Sequence, residues 1–205
     1  MGCRMLVLAS TSPRRISLLV QLGVAFEAVD PGDVENSVAV DPVAHVKEHA
    51  ISKAEAVATK YSDRLVVAAD TIVVLDGKIL EKPRNIEEAK VMLRALSGRT
   101  HRVISAVVLI EKNKKLLDIR TEETRVTMKK LGEKEIDEYV ATGEPMDKAG
   151  AYAAQGVGAI IIERVDGCFY NVVGLPISLL YDMLRDVGIN MLTRARRDDS
   201  RHGNR

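Results

Sequence analysis

The segment Leu65-Val66-Val67-Ala68-Ala69-Asp70-Thr71-Ile72-Val73-Val74-Leu75 carries one charged residue, Asp70, in an otherwise nearly unbroken aliphatic run. Aliphatic and β-branched residues in a short run bounded by turn signals specify a strand buried on both faces. Asp76-Gly77 follows, a dipeptide suited to a two-residue hairpin turn, so Lys78 to Leu80 is the returning strand. A carboxylate inside such a run is costly unless it is hydrogen-bonded, paired or placed at an opening, which strand ends and bulges provide. Asp70 is therefore either a tuned acid, serving as base or metal ligand, or a strand-terminal residue capping a turn.

Outward from this segment, strand and helix signals alternate. Met5 to Ala9 reads as a buried strand, and Ser12-Pro13 opens a helix with Ser12 as N-cap and Pro13 in the first turn. Ile16, Leu19, Val20 and Leu22 line that helix and Gly23 ends it. Phe26 to Val29 is a second strand. A helix from Asp41-Pro42 presents Val43, Val46, Ala50, Ala54 and Val57, with Lys53 on the border of that face. Asn85 with Glu88 starts another, whose face is Ala89, Met92, Leu93 and Leu96, stopped by Gly98.

Val103 to Ile110 and Leu116 to Met128 read as strands around a polar turn, and Glu133 to Ala141 as a helix before a glycine-rich loop from Gly143 to Gly158. Ala159 to Val165 and Cys168 to Val173 are expected to pair as a hairpin about Asp166-Gly167, and Pro176 to Arg185 closes as a helix. The mixture of hairpins and strand–helix units predicts an α/β fold with a mixed twisted sheet and flanking helices. Residues 1–190 are expected to form a single domain, and 191–205 an Arg-rich, disordered tail.

Composition excludes several classes. The chain has 205 residues, 46% hydrophobic and 29% charged, with a net charge of +1. That length buries roughly 70% of the unfolded surface without a disulfide or metal staple. Arg194 to Arg205 holds five Arg and two Asp, so the rest is slightly acidic, and aromatics are 3% with no Trp. Neither feature suits a nucleic-acid module. No apolar run is long enough to span a bilayer, and the N-terminus lacks a signal-peptide layout, so a cytoplasmic location is expected. Cys3 and Cys168 read as unpaired thiols of a reducing compartment.

Chemistry is concentrated in two places, the first being Ser10 to Arg15, where a strand end feeds a helix start. Free N–H groups, the helix dipole and the guanidinium forks of Arg14 and Arg15 favour a phosphate there. On spacing alone, a solvated helix face accounts for both arginines as well as a phosphate site does. Ser10, at the strand end, is placed to offer its hydroxyl to a ligand. The second is Asp70, with Lys53 and Lys82 available to complete a positive pocket; either lysine alone reads as a surface residue. No P-loop, dinucleotide fingerprint, H-E-x-x-H or C-x-x-C is present. His45 and His49 share a helix face but have no partners at metal-site spacing, and read as exposed polar residues.

The stretch Leu8-Ala9-Ser10-Thr11-Ser12-Pro13-Arg14-Arg15 resembles the N-terminal signature of the Maf family of nucleoside triphosphate pyrophosphatases. The resemblance continues through Lys53-Ala54, Ala69-Asp70-Thr71, Glu81-Lys82-Pro83, Leu96-Ser97-Gly98-Arg99, Met146 to Tyr152, Gln155-Gly156 and Val173 to Pro176, spanning roughly residues 5 to 188. It implies an elongated, ITPase-like α/β fold with two lobes flanking a central cleft. It also implies hydrolysis between the α and β phosphates, with a divalent cation, Mg²⁺ or Mn²⁺. By the same resemblance Asp70 is the catalytic base; Ser10, Arg14, Arg15, Lys53 and Lys82 bind the triphosphate. Glu35 matches an acidic position linked to the metal or the attacking water, although Val34 interrupts the family's commoner Glu-Glu pair before it, and Asp70 and Glu35 are the expected metal ligands.

Arg14, Thr71 and Gln155 match the positions that set base preference, and all three side with the members acting on dTTP and UTP. The resemblance thus implies house-cleaning of the pyrimidine nucleotide pool, including modified nucleotides, by a cytoplasmic protein with no membrane or stable nucleic-acid partner. It is compatible with a homodimer. A nucleotide-binding regulator of cell division is the alternative that the same resemblance leaves open.

Overall fold

The computed structural model describes residues 5–192. Its sheet has seven strands: β1 (Leu6–Ala9), β2 (Phe26–Val29), β3 (Val66–Leu75), β4 (Lys78–Leu80), β5 (Thr100–Glu111), β6 (Leu116–Met128) and β7 (Ile162–Asp166). The order is β2-β1-β3-β5-β6-β7, with β4 hydrogen-bonded to β3 off this path. β1 runs parallel to β2 and β3, and every other pairing is antiparallel. The sheet is mixed because helices connect the first three strands, which allows parallel pairing, whereas short turns join β3 to β4 and β5 to β6 as antiparallel hairpins. The helices are α1 (Pro13–Gln21), α2 (Pro42–Ala58), α3 (Ile86–Leu96), α4 (Glu133–Ala141), α5 (Phe169–Val173) and α6 (Ile177–Asp186).

Local chemistry sets most of these boundaries. Asp41 and Asn85 cap α2 and α3 through side chains that accept from the backbone N–H of Ala44 and Glu88, each such cap stabilising a helix by about 1 kcal/mol. Asp76 and Gly77 both adopt positive φ in the β3–β4 turn, as the two-residue hairpin requires. Ser12 sits at the N-cap of α1, but its side chain makes no capping bond. Its backbone N–H donates instead to Ser10 Oγ at 3.1 Å.

Three apolar clusters divide the long strands between them. α1 and α6 pack Leu18, Leu19, Leu180, Met183 and Leu184 against Leu8, Leu65, Val67, Ala69 and Leu109. α2 packs Val46, Ala50, Ala54 and Val57 on the opposite face, against Val7, Ala9, Val66, Ala68, Ile72 and Val108. α3 and α4 cover the other end with Leu93, Leu96, Ile136 and Val140, against Val73, Leu75, Val103, Val126 and Met128. Strand alternation sends Asp70 to the α2 face with Ala68 and Ile72. It sends Thr71 to the other face, between the last β3 residue of the first cluster, Ala69, and the first of the third, Val73.

Three expectations need correction. Asp70 is mid-strand, paired with Ala106 of β5, and not at a strand end; partner side chains, described below, take the place of an opening. Phe169–Val173 is helical, not a returning strand. Asn171, at its centre, is fully buried and donates through Nδ2 to Val103 O and Thr124 Oγ1, contacts that an added strand could not make. Most of the loop 143–158 is organised into 3-10 turns at Glu144–Asp147, Ala149–Ala151 and Gly156–Ile161, and β7 starts only at Ile162. Cys3 and nearly all of the Arg-rich tail lie outside the described residues.

His101 on β5 is 2% exposed, with Nε2 2.7 Å from Tyr152 Oη. Burial pushes its pKa down from the usual value to about 4. The unfolded chain binds this proton below about pH 6.5, whereas the folded protein refuses it until about pH 4, so stability falls across that interval as pH is lowered. The cost amounts to about 3 kcal/mol at the acid end. Chemical denaturation of the His101→Gln variant between pH 7 and 4 is expected to show a shallower loss of stability than the parent.

Candidate active site

The C-terminal end of β1, the start of α1, the inward face of α2, mid-β3 and the 143–158 loop enclose a cleft of about 570 Å³. That volume is typical of small-molecule sites. The lining of the cleft combines cationic and hydroxylic side chains, Ser10, Arg14, Arg15, Lys53, Lys82 and Lys148, with the apolar Val73, Leu80, Val103, Ala153 and Val172. Asp70, Glu35, Thr71 and Gln155 also line it, so every residue singled out in the sequence borders a single cavity.

At its centre is an ion cluster. Lys53 Nζ donates to Asp70 Oδ1 at 2.7 Å and also pairs with Glu35. Asp70 and Lys53 are each 7% exposed, so the pairing offsets much of the cost of burying both charges. Burial alone would raise the Asp70 carboxyl, but His49, Lys53 and Arg15 outweigh it and hold the group well below the usual carboxylate range. Asp70 is thus an anion at any physiological pH, ready to attract a cation or to orient a water.

Lys53 reaches this point because α2 repeats every 3.6 residues. His45, His49 and Lys53, spaced four apart, form a line along the edge of its apolar stripe, and all three are buried against the cleft. This corrects the reading of both histidines as exposed: each is 9% exposed, and their rings lie 4.2 Å apart. The i, i+4, i+8 spacing that joins them to Lys53 is the sequence signal that identifies them.

The two arginines divide their work. Arg15 is anchored: Nε donates to Gly174 O at 2.8 Å, NH2 to Thr71 Oγ1 at 3.3 Å and NH1 to Ser10 Oγ at 3.5 Å. Gly174 ends α5 at φ 117°, a conformation open to glycine, and this turns its carbonyl towards Arg15. Burial lowers the Arg15 pKa while Asp70 opposes the change; a guanidinium keeps its proton regardless. Arg14 is looser, about a third exposed and 3.4 Å from Asp147. Thr71 Oγ1 is also 2.7 Å from Ser105 Oγ and 3.3 Å from Gly174 O, so its hydroxyl is committed to the bed on which Arg15 lies. Lys82 and Gln155 border the cleft with exposed side chains that have no hydrogen-bond or ion-pair partner among the described residues.

The donor set permits a test of the metal expectation. Asp70 and Glu35 converge on a single cationic position, now held by the Lys53 ammonium, and both offer hard oxygen. Among the described residues no group of three or more His, Cys, Asp or Glu side chains is arranged to hold an ion alone. One or two carboxylates, completed by phosphate oxygens and water, is the environment Mg²⁺ prefers, and Mn²⁺ accepts it too. The residues fit such an ion and do not form a zinc cage.

The fold and cleft define a class first. The structure resembles that of the Staphylococcus aureus Ham1 protein, with a TM-score of 0.51 and 15% identity, covering 89% of this chain and 98% of that one. That likeness establishes the ITPase-like architecture. The model of the family described as Maf-like protein matches residues 5–187, and the chain belongs to that family. Relatives include the dTTP/UTP pyrophosphatases of Dictyoglomus thermophilum, 44% identical, and Pelotomaculum thermopropionicum, 48% identical. Each alignment covers 91% of this chain and 98% of the relative.

The loop that carries Gln155 is held from below by Glu144. Its carboxylate accepts from the N–H groups of Val157 and Gly158, both at 2.9 Å, and from Tyr139 Oη at 3.0 Å. Glu144→Ala leaves three donors unpaired and is expected to destabilise the protein by about 2 kcal/mol. Thermal melting of the variant against the parent checks the effect.

Proposed function

We propose that this protein hydrolyses dTTP and UTP, and pyrimidine triphosphates with modified bases, to the nucleoside monophosphate and pyrophosphate, clearing them from the nucleotide pool. The observation that carries this reading is the make-up of the cleft: five cationic side chains, Arg14, Arg15, Lys53, Lys82 and Lys148, line the same cavity as the Asp70 carboxylate. The names of the relatives, dTTP/UTP pyrophosphatases that align over nearly their whole length, support the same substrate class.

The triphosphate, with about four negative charges, lies along Ser10, Arg14, Arg15, Lys53 and Lys82. Arg15, already anchored, is preorganised, so little ordering accompanies its contact with a phosphate oxygen. Arg14 and Lys82 stand free enough to close on the ligand. Lys53 turns part of its charge from Asp70 and Glu35 to the phosphates, and the two carboxylates would hold a divalent cation, Mg²⁺ or Mn²⁺. When bound, that ion neutralises phosphate oxygens. Asp70 orients a water in line with the α-phosphorus and takes its proton, and the arginine pair stabilises the departing pyrophosphate.

The Gln155 amide, exposed on the cleft lining, both donates and accepts, which matches the edge of uracil or thymine. Arg14 contributes from the α1 side, and Thr71 contributes through its hold on Arg15. No described helix is long and apolar enough to cross a membrane, and a cytoplasmic location accords with free nucleotides as substrate. A stable nucleic-acid partner is not part of this reading, and a homodimer is compatible with it.

The test is release of pyrophosphate from a panel of nucleoside triphosphates by the purified protein with Mg²⁺ or Mn²⁺. Turnover of UTP and dTTP is expected; nucleotide binding without turnover would mark a regulator instead. Asp70→Asn is expected to lower kcat on the order of 100- to 10,000-fold while nucleotide binding persists. Gln155→Glu is expected to lower kcat/KM for UTP by about tenfold or more relative to purine triphosphates, through loss of an amide donor and repulsion of the base carbonyl. An unchanged substrate profile removes Gln155 from base selection.

A further inference from the structure

The segment 30–40 carries Glu35 into the cleft but belongs to no helix or strand. Two bonds from one residue fasten it to α2. The Ser37 backbone N–H donates to His49 Nε2 at 3.3 Å, and the Ser37 hydroxyl is 2.6 Å from Glu48 Oε2. His49 thereby occupies a junction: its other nitrogen, Nδ1, lies 3.5 Å from Asp70 Oδ2. The opposite carboxylate oxygen, Oδ1, is the one that accepts from Lys53.

A backbone N–H cannot be removed by titration, so Ser37 requires a lone pair on Nε2. When the ring is neutral its single proton therefore sits on Nδ1, facing Asp70. One imidazole accepts from the loop that bears Glu35 and presents a donor to the carboxylate on β3. We infer that His49 is a positioning residue for the reaction: held as the Nδ1–H tautomer by Ser37, it fixes the rotation of the Asp70 carboxylate and couples that carboxylate to the placement of Glu35. His45, its ring tilted against that of His49 at 4.2 Å, and Lys53 lie one turn to either side of it on α2.

The inference rests on Asp70 acting as proposed above, and orientation is the effect at stake, since Lys53 and Arg15 supply the charge. Partners that orient a reacting or ligating group in this way are typically worth 10- to 100-fold in activity. His49→Leu removes both bonds at similar volume, whereas His49→Gln retains one donor and one acceptor. With UTP as substrate, His49→Leu is expected to lower kcat at least tenfold with KM changed less than about threefold, and His49→Gln to recover most of the loss at equal melting temperature. ¹⁵N NMR of the imidazole-labelled parent protein, at a pH high enough for the ring to be neutral, is expected to show a protonated Nδ1 and a bare Nε2 for His49.

A proton on Nε2, or wild-type kcat in a folded His49→Leu variant, overturns the assignment. So does a kcat loss in His49→Leu that His49→Gln fails to relieve. If either variant fails to fold, the tautomer measurement on the parent decides. Asp70→Asn in the same assay separates the two levels. Full turnover there removes the parent reading, whereas an inactive Asp70→Asn beside an active His49→Leu removes only the role of His49.

Discussion

An ammonium group from a helix is held between two carboxylates, one from the middle of a buried strand and one from an irregular segment. The Lys53–Asp70–Glu35 cluster is the constraint on which the rest of the site depends. A lone carboxylate at Asp70 would be several kcal/mol too costly to bury as an ion and would take a proton instead. With Lys53 beside it and Arg15 near, the anion persists inside the sheet. α2 must then lie close enough to β3 for a lysine to reach across, and its small residues Ala50 and Ala54 permit that approach.

The same economy governs the opposite side of β3. Thr71 projects away from α2 and joins Gly174 and Ser10 in accepting from the Arg15 guanidinium, with Ser105 bonded to the Thr71 hydroxyl behind it. A single dipeptide, Asp70-Thr71, thus organises both walls of the cleft, because successive strand residues face opposite ways. The cavity has room to exist because the apolar clusters on the odd face leave Thr71 between them. The α1 and α6 cluster ends at Ala69 and the α3 and α4 cluster begins at Val73.

Much of this was legible before any coordinates. β2 begins and ends where alternation and turn signals place it, and the Asp41 and Asn85 caps act as their side chains predict. The site residues named from the Maf resemblance all meet in the cleft. Failures fell where local signals are ambiguous. Cys168 to Val173 has the composition of a strand, and only the burial of Asn171 against β5 and β6 selects a helix there. His45 and His49 carry no metal spacing; helical periodicity aligns them with Lys53, but that this line faces the cleft beside β3 follows only from packing.

By itself, the sequence determined the mixed α/β class, the positions of most elements, the family, and which charged residues are costly to bury. These are properties of short windows: a hydrophobic period, a cap or a turn dipeptide acts within a few residues of where it is written. Tertiary structure alone decided which of the charges meet. Asp70, Lys53 and Glu35 come from a strand, a helix and a loop, Arg15 finds its anchors on β3 and at the end of α5, and His49 faces both Ser37 and Asp70. Such contacts depend on how elements pack in three dimensions, and packing is a property of the whole chain.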